Sequence, residues 1–272
     1  MLKEFIWYLK KLCNLGFLSL QLLVYTIFHP KRTFHGLWVP MVQLINEYHQ
    51  ETHSRLLDFS TTQAFQQISR ETIFSMSNVF NLDFTVTRPI ESQVLSALVR
   101  HFQPKTIFEI GTYFGFTTLH MAYNSPADCV LYSLDLPLGY DQTDRDKVEQ
   151  YAYSDFLVLR LSMKSQGKRQ YKGTREEAKI RELYGNSKEF DFSPYHGKMD
   201  FILIDGNHSY SYVKSDTEAA FRMLSPGGIL LWHDFDFLIH RDIFNYLNEL
   251  SQTYKIYFIP KTRFAIFGKT LE

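Results

Sequence analysis

An alternation that sets in at Pro89 and runs to Gly268 restricts this chain more than any other feature: apolar runs of strand length, separated by stretches with helical spacing. The clearest run is Met199–Asp205, MDFILID. Its apolar part does not alternate with polar residues, so a strand made of it needs cover on both faces, which helices packed on both sides of a sheet provide. Thr106–Gly111 (TIFEIG) and Val130–Leu136 (VLYSLDL) read as strands of the same kind, and Ile180–Leu183 as a short third. Ile229–Asp234 (ILLWHD) follows an SPGG turn at Ser225–Gly228. Between the strands, Ile90–Phe102 places Val94, Leu95, Leu98 and Val99 on one helical face, and Phe116–Tyr123 and Tyr212–Leu224 read as further helices. Strands alternating with helices imply an α/β fold built on a doubly wound parallel sheet. Lys255–Gly268 departs from the pattern: KIYFI, PKTR and FAIFG read as two strands and a tight connection, an antiparallel hairpin closing one edge.

The composition suits such a core, with 272 residues of which 45% are hydrophobic and 21% charged. Twenty-nine Lys and Arg balance 29 Asp and Glu. Proteins that grip nucleic acid through its phosphates carry a basic surplus, so no nucleic-acid partner is expected. Cys13 and Cys129 stand far apart with no Cys/His cluster, which speaks against a disulfide scaffold or structural zinc and fits a reducing, cytoplasmic setting.

Residues 1–60 form a helical N-terminal extension to a domain taken as 61–272. Leu12–Phe28 is its most apolar run, and no small-residue cleavage site follows it. At 17 residues, interrupted by Asn14, Gly16 and Gln21, it is short for a span. A helix packed on the domain or on a second copy, an in-plane interfacial helix making membrane contact through residues 5–28, and a single span all stay open, as does a homo-oligomer. Pro30 ends that helix at about His29. Gly36–Ser77 reads as helical, with Ile45, Leu56 and Phe65 as packing positions.

Ligands of an open parallel sheet bind beyond the carboxyl ends of its strands. Glu109-Ile110-Gly111-Thr112-Tyr113-Phe114-Gly115-Phe116-Thr117 leads from such an end into a helix. Gly111 and Gly115 let the chain turn sharply and let a ligand approach the backbone, at a spacing unlike the GxGxxG of dinucleotide sites. Asp135 ends the next strand, where a carboxylate accepts both hydroxyls of a ribose. Asp205, with His208 in the following loop, and Asp234, preceded by His233, end two further strands. Neighbouring strands lie about 4.8 Å apart, so these two acids converge on one cleft. They can hold a divalent cation such as Mg²⁺, which would orient a substrate hydroxyl and lower its pKa. Alternatively His208 removes the proton as general base. His233 reads as a hydrogen-bonded residue behind the site and Asp216 as a structural helix residue. In the polar stretch Pro137–Arg175, Lys168, Arg169, Lys172 and Arg175 either clamp an anionic group of the substrate or form a solvated surface.

Together Glu109–Thr117, Asp135, FILIDGNHSY (Phe201–Tyr210) and LSPGGILLWHDF (Leu224–Phe235) resemble the class I S-adenosylmethionine-dependent methyltransferases. The branch is that of small-molecule and sugar O-methyltransferases and cephalosporin-hydroxylase-like proteins, and the resemblance covers about Pro89 to Gly268. It implies a Rossmann-like seven-stranded sheet whose last strand is antiparallel, S-adenosyl-L-methionine as cofactor, and O-methylation of a small hydroxylated metabolite or sugar. By that resemblance the cofactor meets Glu109, Gly111, Thr112, Gly115 and Thr117, its ribose meets Asp135, and its adenine lies beside Asn186 and Ser187. Position 186 is often Asp in the family. Asp205 stands beside the methyl group, catalysis falls to Asp205, His208 and Asp234, and Asp205 and Asp234 are the metal ligands where Mg²⁺ is used. The family's pair of neighbouring acidic or amide metal ligands is only half matched by His233-Asp234 or Asp234-Phe235. A hydroxylase-like enzyme and a non-catalytic, membrane-attached binding protein are the alternatives on the same fold.

Overall fold

Eight strands pair into one sheet in a computed structural model that describes residues 39–76, 87–137 and 169–271. The run Leu12–Phe28, the membrane contact read for residues 5–28, and Lys168 lie outside the described residues. Among the described residues no helix is long and apolar enough to cross a membrane. The chain divides between His49 and Gln50 into two units. Of the first, the described residues are the opening turns of α1 (Val39–His53), where Ile45 is half-buried.

The second unit holds the sheet. In chain order its elements are β1 (Leu57–Asp58), α2 (Gln63–Glu71), α3 (Pro89–Phe102), β2 (Thr106–Ile110), α4 (Phe116–Asn124), β3 (Val130–Asp135), β4 (Ile180–Tyr184), β5 (Met199–Ile204), α5 (Tyr210–Met223), β6 (Leu224–Trp232), α6 (Arg241–Leu250), β7 (Tyr257–Phe258) and β8 (Ala265–Phe267). The strand order is β1-β7-β8-β6-β5-β2-β3-β4. Strands β4, β3, β2, β5 and β6 pair in parallel, and β8 runs antiparallel to both its neighbours. The seven expected strands and the terminal hairpin are present. The eighth, β1, adds parallel to β7. Two residues are too few to show a strand period, so β1 left no pattern. Leu56 and Phe59 beside it are buried, at 5% and 1% exposure, which ties residues 50–60 to the sheet unit rather than to an N-terminal extension ending at 60.

The strand period of two sorts the core. Ile107, Leu131, Phe201, Leu203 and Leu231 point to one face with Leu95, Leu98, Leu119 and Tyr171. Phe108, Leu134, Ile202, Ile204, Leu230 and Trp232 point to the other, under Val213 and Ala220 of α5 and Ile243 and Leu247 of α6. Burying each such large side chain is worth about 1.5–3 kcal/mol, which makes β2, β5 and β6 the rigid middle of the sheet. SPGG proves to be an irregularity inside β6 rather than a turn before it. Gly227 has φ +84°, and the register with β5 shifts between Met199 and Phe201. Helix α6 was not foreseen.

Candidate active site

The carboxyl ends of β2, β3, β5 and β6 meet at one edge, as their register requires: Asp205 N–H donates to the Ile110 carbonyl at 2.8 Å, Gly111 N–H to Leu134 at 2.9 Å and His233 N–H to Ile204 at 3.0 Å. The chain turns over this edge through Gly111, at φ +95°. A Cβ there would stand 2.0 Å from the Asp205 carbonyl oxygen, so the close passage of the two strand ends admits only glycine. Gly115, at φ +72°, is the N-cap of α4, and a Cβ on it would meet the Tyr171 ring at 2.5 Å.

The side chains of three residues expected to meet a cofactor are buried in one hydrogen-bonded cluster. The Glu109 side chain is fully buried and accepts hydrogen bonds from Thr117 at 2.6 Å, Thr118 at 2.5 Å and Ser133 at 2.6 Å. Thr112 completes the cluster through a 2.6 Å hydroxyl contact with Ser133. Glu109, Thr117 and Thr112 thus pin β2, β3 and the first turn of α4 together beneath the glycine turn. Burial pushes the Glu109 carboxyl up to about 7, against the opposing hydrogen bonds from Ser133, Thr117 and Thr118. Alternation along β2 made this placement foreseeable, since Ile107 and Glu109 share a face.

Asp135 ends β3 as expected and keeps part of its carboxylate at the surface, its side chain 12% exposed. Beside it, Gly185 N–H bonds the Asp135 carbonyl at 2.9 Å, and the loop carrying Asn186 and Ser187 starts there. Asn186 is half-buried and accepts from the Lys188 N–H at 3.1 Å, shaping its own loop. The substrate-clamp reading does not hold for two of its residues: Arg169 is buried against Asp135 at 2.8 Å, and Lys172 pairs with Glu177 and Glu182. Arg175 is exposed.

Asp205 and Asp234 do converge, and they bring a charged network with them. His233, between them, places Nδ1 2.9 Å from Asp205 Oδ1 and 3.4 Å from Asp234 Oδ2, with Nε2 3.2 Å from Glu91 Oε2. Burial alone would lower the His233 pKa, but Asp205, Asp234 and Glu91 together raise it well above the ordinary value, so the ring is an imidazolium. Glu91, fully buried in the first turn of α3, accepts from the Arg263 backbone N–H, Nε and Nη2 at 2.9, 3.1 and 3.0 Å. Arg263 Nη1 also donates to Asp234. Burial works against ionising Asp234 and Glu91, yet Arg263 and His233 hold both well below the usual carboxylate range. Asp234 Oδ2 lies 3.0 Å from His208 Nε2, and the His208 and His240 rings are 4.3 Å apart. Asp234 sits at φ +56°, a left-handed conformation that costs a non-glycine residue about 1–2 kcal/mol. In that conformation its carboxylate meets His208, His233 and Arg263. A small cavity beside the network is lined by Asp205, Gly206, Asn207, His208, Trp232 and His233, with Ile204, Val213 and Ile243.

Glu91, Arg263 and His240 were not foreseen. Glu91 looked like one polar residue of an amphipathic helix and Arg263 like part of a hairpin turn.

Among the described residues, two groups of three donors lie with their atoms within 4.8 Å of one another: Asp205, His233 and Asp234, and His208, Asp234 and His240. They do not fit Mg²⁺. That ion demands six near-octahedral oxygens, whereas both Asp234 oxygens and one of Asp205 are held by Arg263, His208 and a charged His233. A cation placed there would meet a guanidinium and an imidazolium at contact distance. The assignment of Asp205 and Asp234 as Mg²⁺ ligands is corrected on this ground. Asp216 is buried on α5, and burial raises its carboxyl to about 7.

Comparison with known proteins follows this geometry. Residues 108–235 match a family model described as a methyltransferase domain. Solved structures similar to the chain include the tomaymycin-pathway O-methyltransferase of Streptomyces achromogenes in complex with S-adenosylmethionine, at 13% identity and TM-score 0.46, covering 84% of this chain and 97% of that one. A methyltransferase of Podospora anserina bound to S-adenosylhomocysteine is similar at 15% identity and TM-score 0.47, covering 76% and 94%. An O-methyltransferase of Bacillus cereus, also bound to that product, is similar at 13% identity and TM-score 0.44, covering 85% and 100%. No curated protein matches the chain.

Proposed function

We propose that this chain, a class I methyltransferase fold whose residues 108–235 match a methyltransferase domain, transfers the methyl group of S-adenosylmethionine to a hydroxyl of a small molecule. One observation carries the reading: a glycine turn, a partly exposed strand-end acid and a His–Asp pair share one edge of the sheet. The residues suit the cofactor. The Gly111 turn bares backbone beside Asp205, and Asp135 offers carboxylate oxygens to a ribose diol. When bound, the sulfonium supplies an electrophilic methyl group, and displacement needs only in-line placement of the acceptor oxygen.

The chain supplies the base. Asp234, fixed by Arg263, pairs with His208 Nε2, and the imidazole so held takes the acceptor's proton. As that proton arrives, the adjoining Asp234 carboxylate stabilises the imidazolium. Asp205, oriented by charged His233, marks the place where the acceptor oxygen lies. No step in this scheme passes through a metal.

Calorimetric titration with S-adenosylhomocysteine, with NAD(H) as control, tests the first half, and label transfer from S-adenosylmethionine to a panel of phenols, sugars and amines tests the second. Micromolar binding with label on a hydroxyl is expected. Absence of binding at millimolar ligand overturns the proposal. Label on amines alone overturns the oxygen assignment.

A further inference from the structure

Behind Asp135 lies a short segment that the proposed chemistry does not use. Arg169 arrives at β3 with its side chain entirely buried, whereas the Asp135 side chain in front of it is 12% exposed. Guanidinium Nη2 donates to Asp135 Oδ2 at 2.8 Å, and the Leu136 N–H donates to Oδ1 at 2.9 Å. Each carboxylate oxygen therefore accepts a bond from the protein, Oδ2 from a buried guanidinium and Oδ1 from the backbone. The other arm of the guanidinium, Nη1, donates to the Tyr171 hydroxyl at 3.1 Å, which in turn donates to Glu182 on β4 at 2.5 Å. Between these two residues, Gln170 N–H bonds the Phe114 carbonyl at 2.8 Å, inside the glycine turn, and the Tyr171 ring fills the space a Gly115 side chain would take.

We propose that Arg169 is the positioning residue of the ribose acid: from the buried side it holds the Asp135 carboxylate toward the cofactor's 2′,3′-diol, while Gln170 and Tyr171 lock the glycine turn to the same brace. The inference rests on the methyltransferase reading above. A carboxylate on a strand end has two free torsions, and a diol that must order it on binding loses affinity for that ordering. With both oxygens held before the cofactor arrives, the ordering is complete. Lysine cannot replace the residue, because one planar fork bridges Asp135 and Tyr171 at once and an ammonium is a single point charge. The brace also changes what the connection after β3 does: its basic residue serves the cofactor and not an anionic acceptor.

The test is calorimetry on the full chain with two probes, S-adenosylhomocysteine and its 2′-deoxyribose analogue. The wild type should prefer the ribose form. Arg169→Gln should weaken the ribose form by about ten-fold and the deoxy form by less than about three-fold, since one charge-assisted contact is at stake, so the preference collapses. Arg169→Lys should fall between, and it carries the test if the Gln variant does not fold. Equal weakening of both probes means a structural role alone and overturns the inference, as does an unchanged preference. Tighter binding in either variant overturns it too, because Arg169 would then be a plug in the ribose's place. A wild type that binds neither probe overturns the methyltransferase reading and this inference with it. A wild type that binds both probes equally overturns this inference alone.

Discussion

Glu109→Gln isolates what one buried acid does to the stability of the glycine turn. In the folded protein the Glu109 carboxyl is raised to about 7, and in the unfolded chain it returns to 4.5. Between those values the folded form holds a proton that the unfolded form has released, so stability falls as pH rises, by about 1.4 kcal/mol per unit. The group's contribution is complete below pH 4.5 and is lost by the time pH has passed 7, a total of about 3 kcal/mol over the window. Glutamine keeps the shape, accepts from Thr118 and Ser133 through its oxygen, and turns the Thr117 hydroxyl into an acceptor, without any ionisation. The assay is urea unfolding of both proteins at pH 5 and pH 8.5. Every other titrating group cancels in the difference between them. Relative to the wild type, the variant should gain about 3 kcal/mol between the two pH values. Parallel stability profiles would refute the reasoning, because the carboxyl would then ionise in place at no cost.

Three further outcomes follow from the same geometry. Gly111→Ala should cost at least about 2 kcal/mol by denaturant titration and abolish cofactor binding, since it adds a left-handed alanine and a contact that moves the Asp205 carbonyl. His208→Gln should lower kcat for methyl transfer by roughly 10²–10⁴ while the dissociation constant for S-adenosylhomocysteine stays within about two-fold, and loss of that affinity would place His208 in the cofactor site instead. Excess EDTA should leave label transfer unchanged, because Arg263 and His208 already occupy Asp234; a loss of transfer restored by Mg²⁺ would show that those pairs open for a metal.

The parts of the molecule that answer to a local period were legible. The apolar runs that became β2, β3, β5 and β6 announced a parallel sheet, and once the sheet is accepted, Gly111, Asp135, Asp205 and Asp234 fall at its carboxyl edge by counting along the strands. The side chain of Glu109 was not legible for a different reason. Its sequence neighbourhood is that of a ligand-facing loop, but strand alternation turns it under the turn, where Thr117, Thr118 and Ser133 donate to its two oxygens. Strand β1 was invisible because two residues carry no pattern and its partner, β7, lies two hundred positions downstream. Helix α6 was passed over although Ile243, Phe244 and Leu247 stand at helical spacing, because the turn-rich HDFDF run before it masked its start.

A shared arrangement explains why the site itself was harder to read than the fold. Each strand-end acid at the cleft has a cation attached from behind: Arg169 on Asp135, His233 on Asp205 and Arg263 on Asp234. An isolated buried carboxylate would simply take up a proton, and Asp234 stays ionised because Arg263 and His233 offset its desolvation. The partners fix direction as well as charge. None of the three cations lies in the segment of the acid it serves: Arg169 is 34 positions from Asp135, His233 is 28 from Asp205 and Arg263 is 29 from Asp234. A strand-end acid can be found by following one strand, whereas its cation is brought to it by a crossover or a returning hairpin and becomes visible only when the sheet is closed. The same pairing argues against a divalent ion at Asp205 and Asp234, because the charge that an ion would supply is already present in Arg263 and the His233 imidazolium.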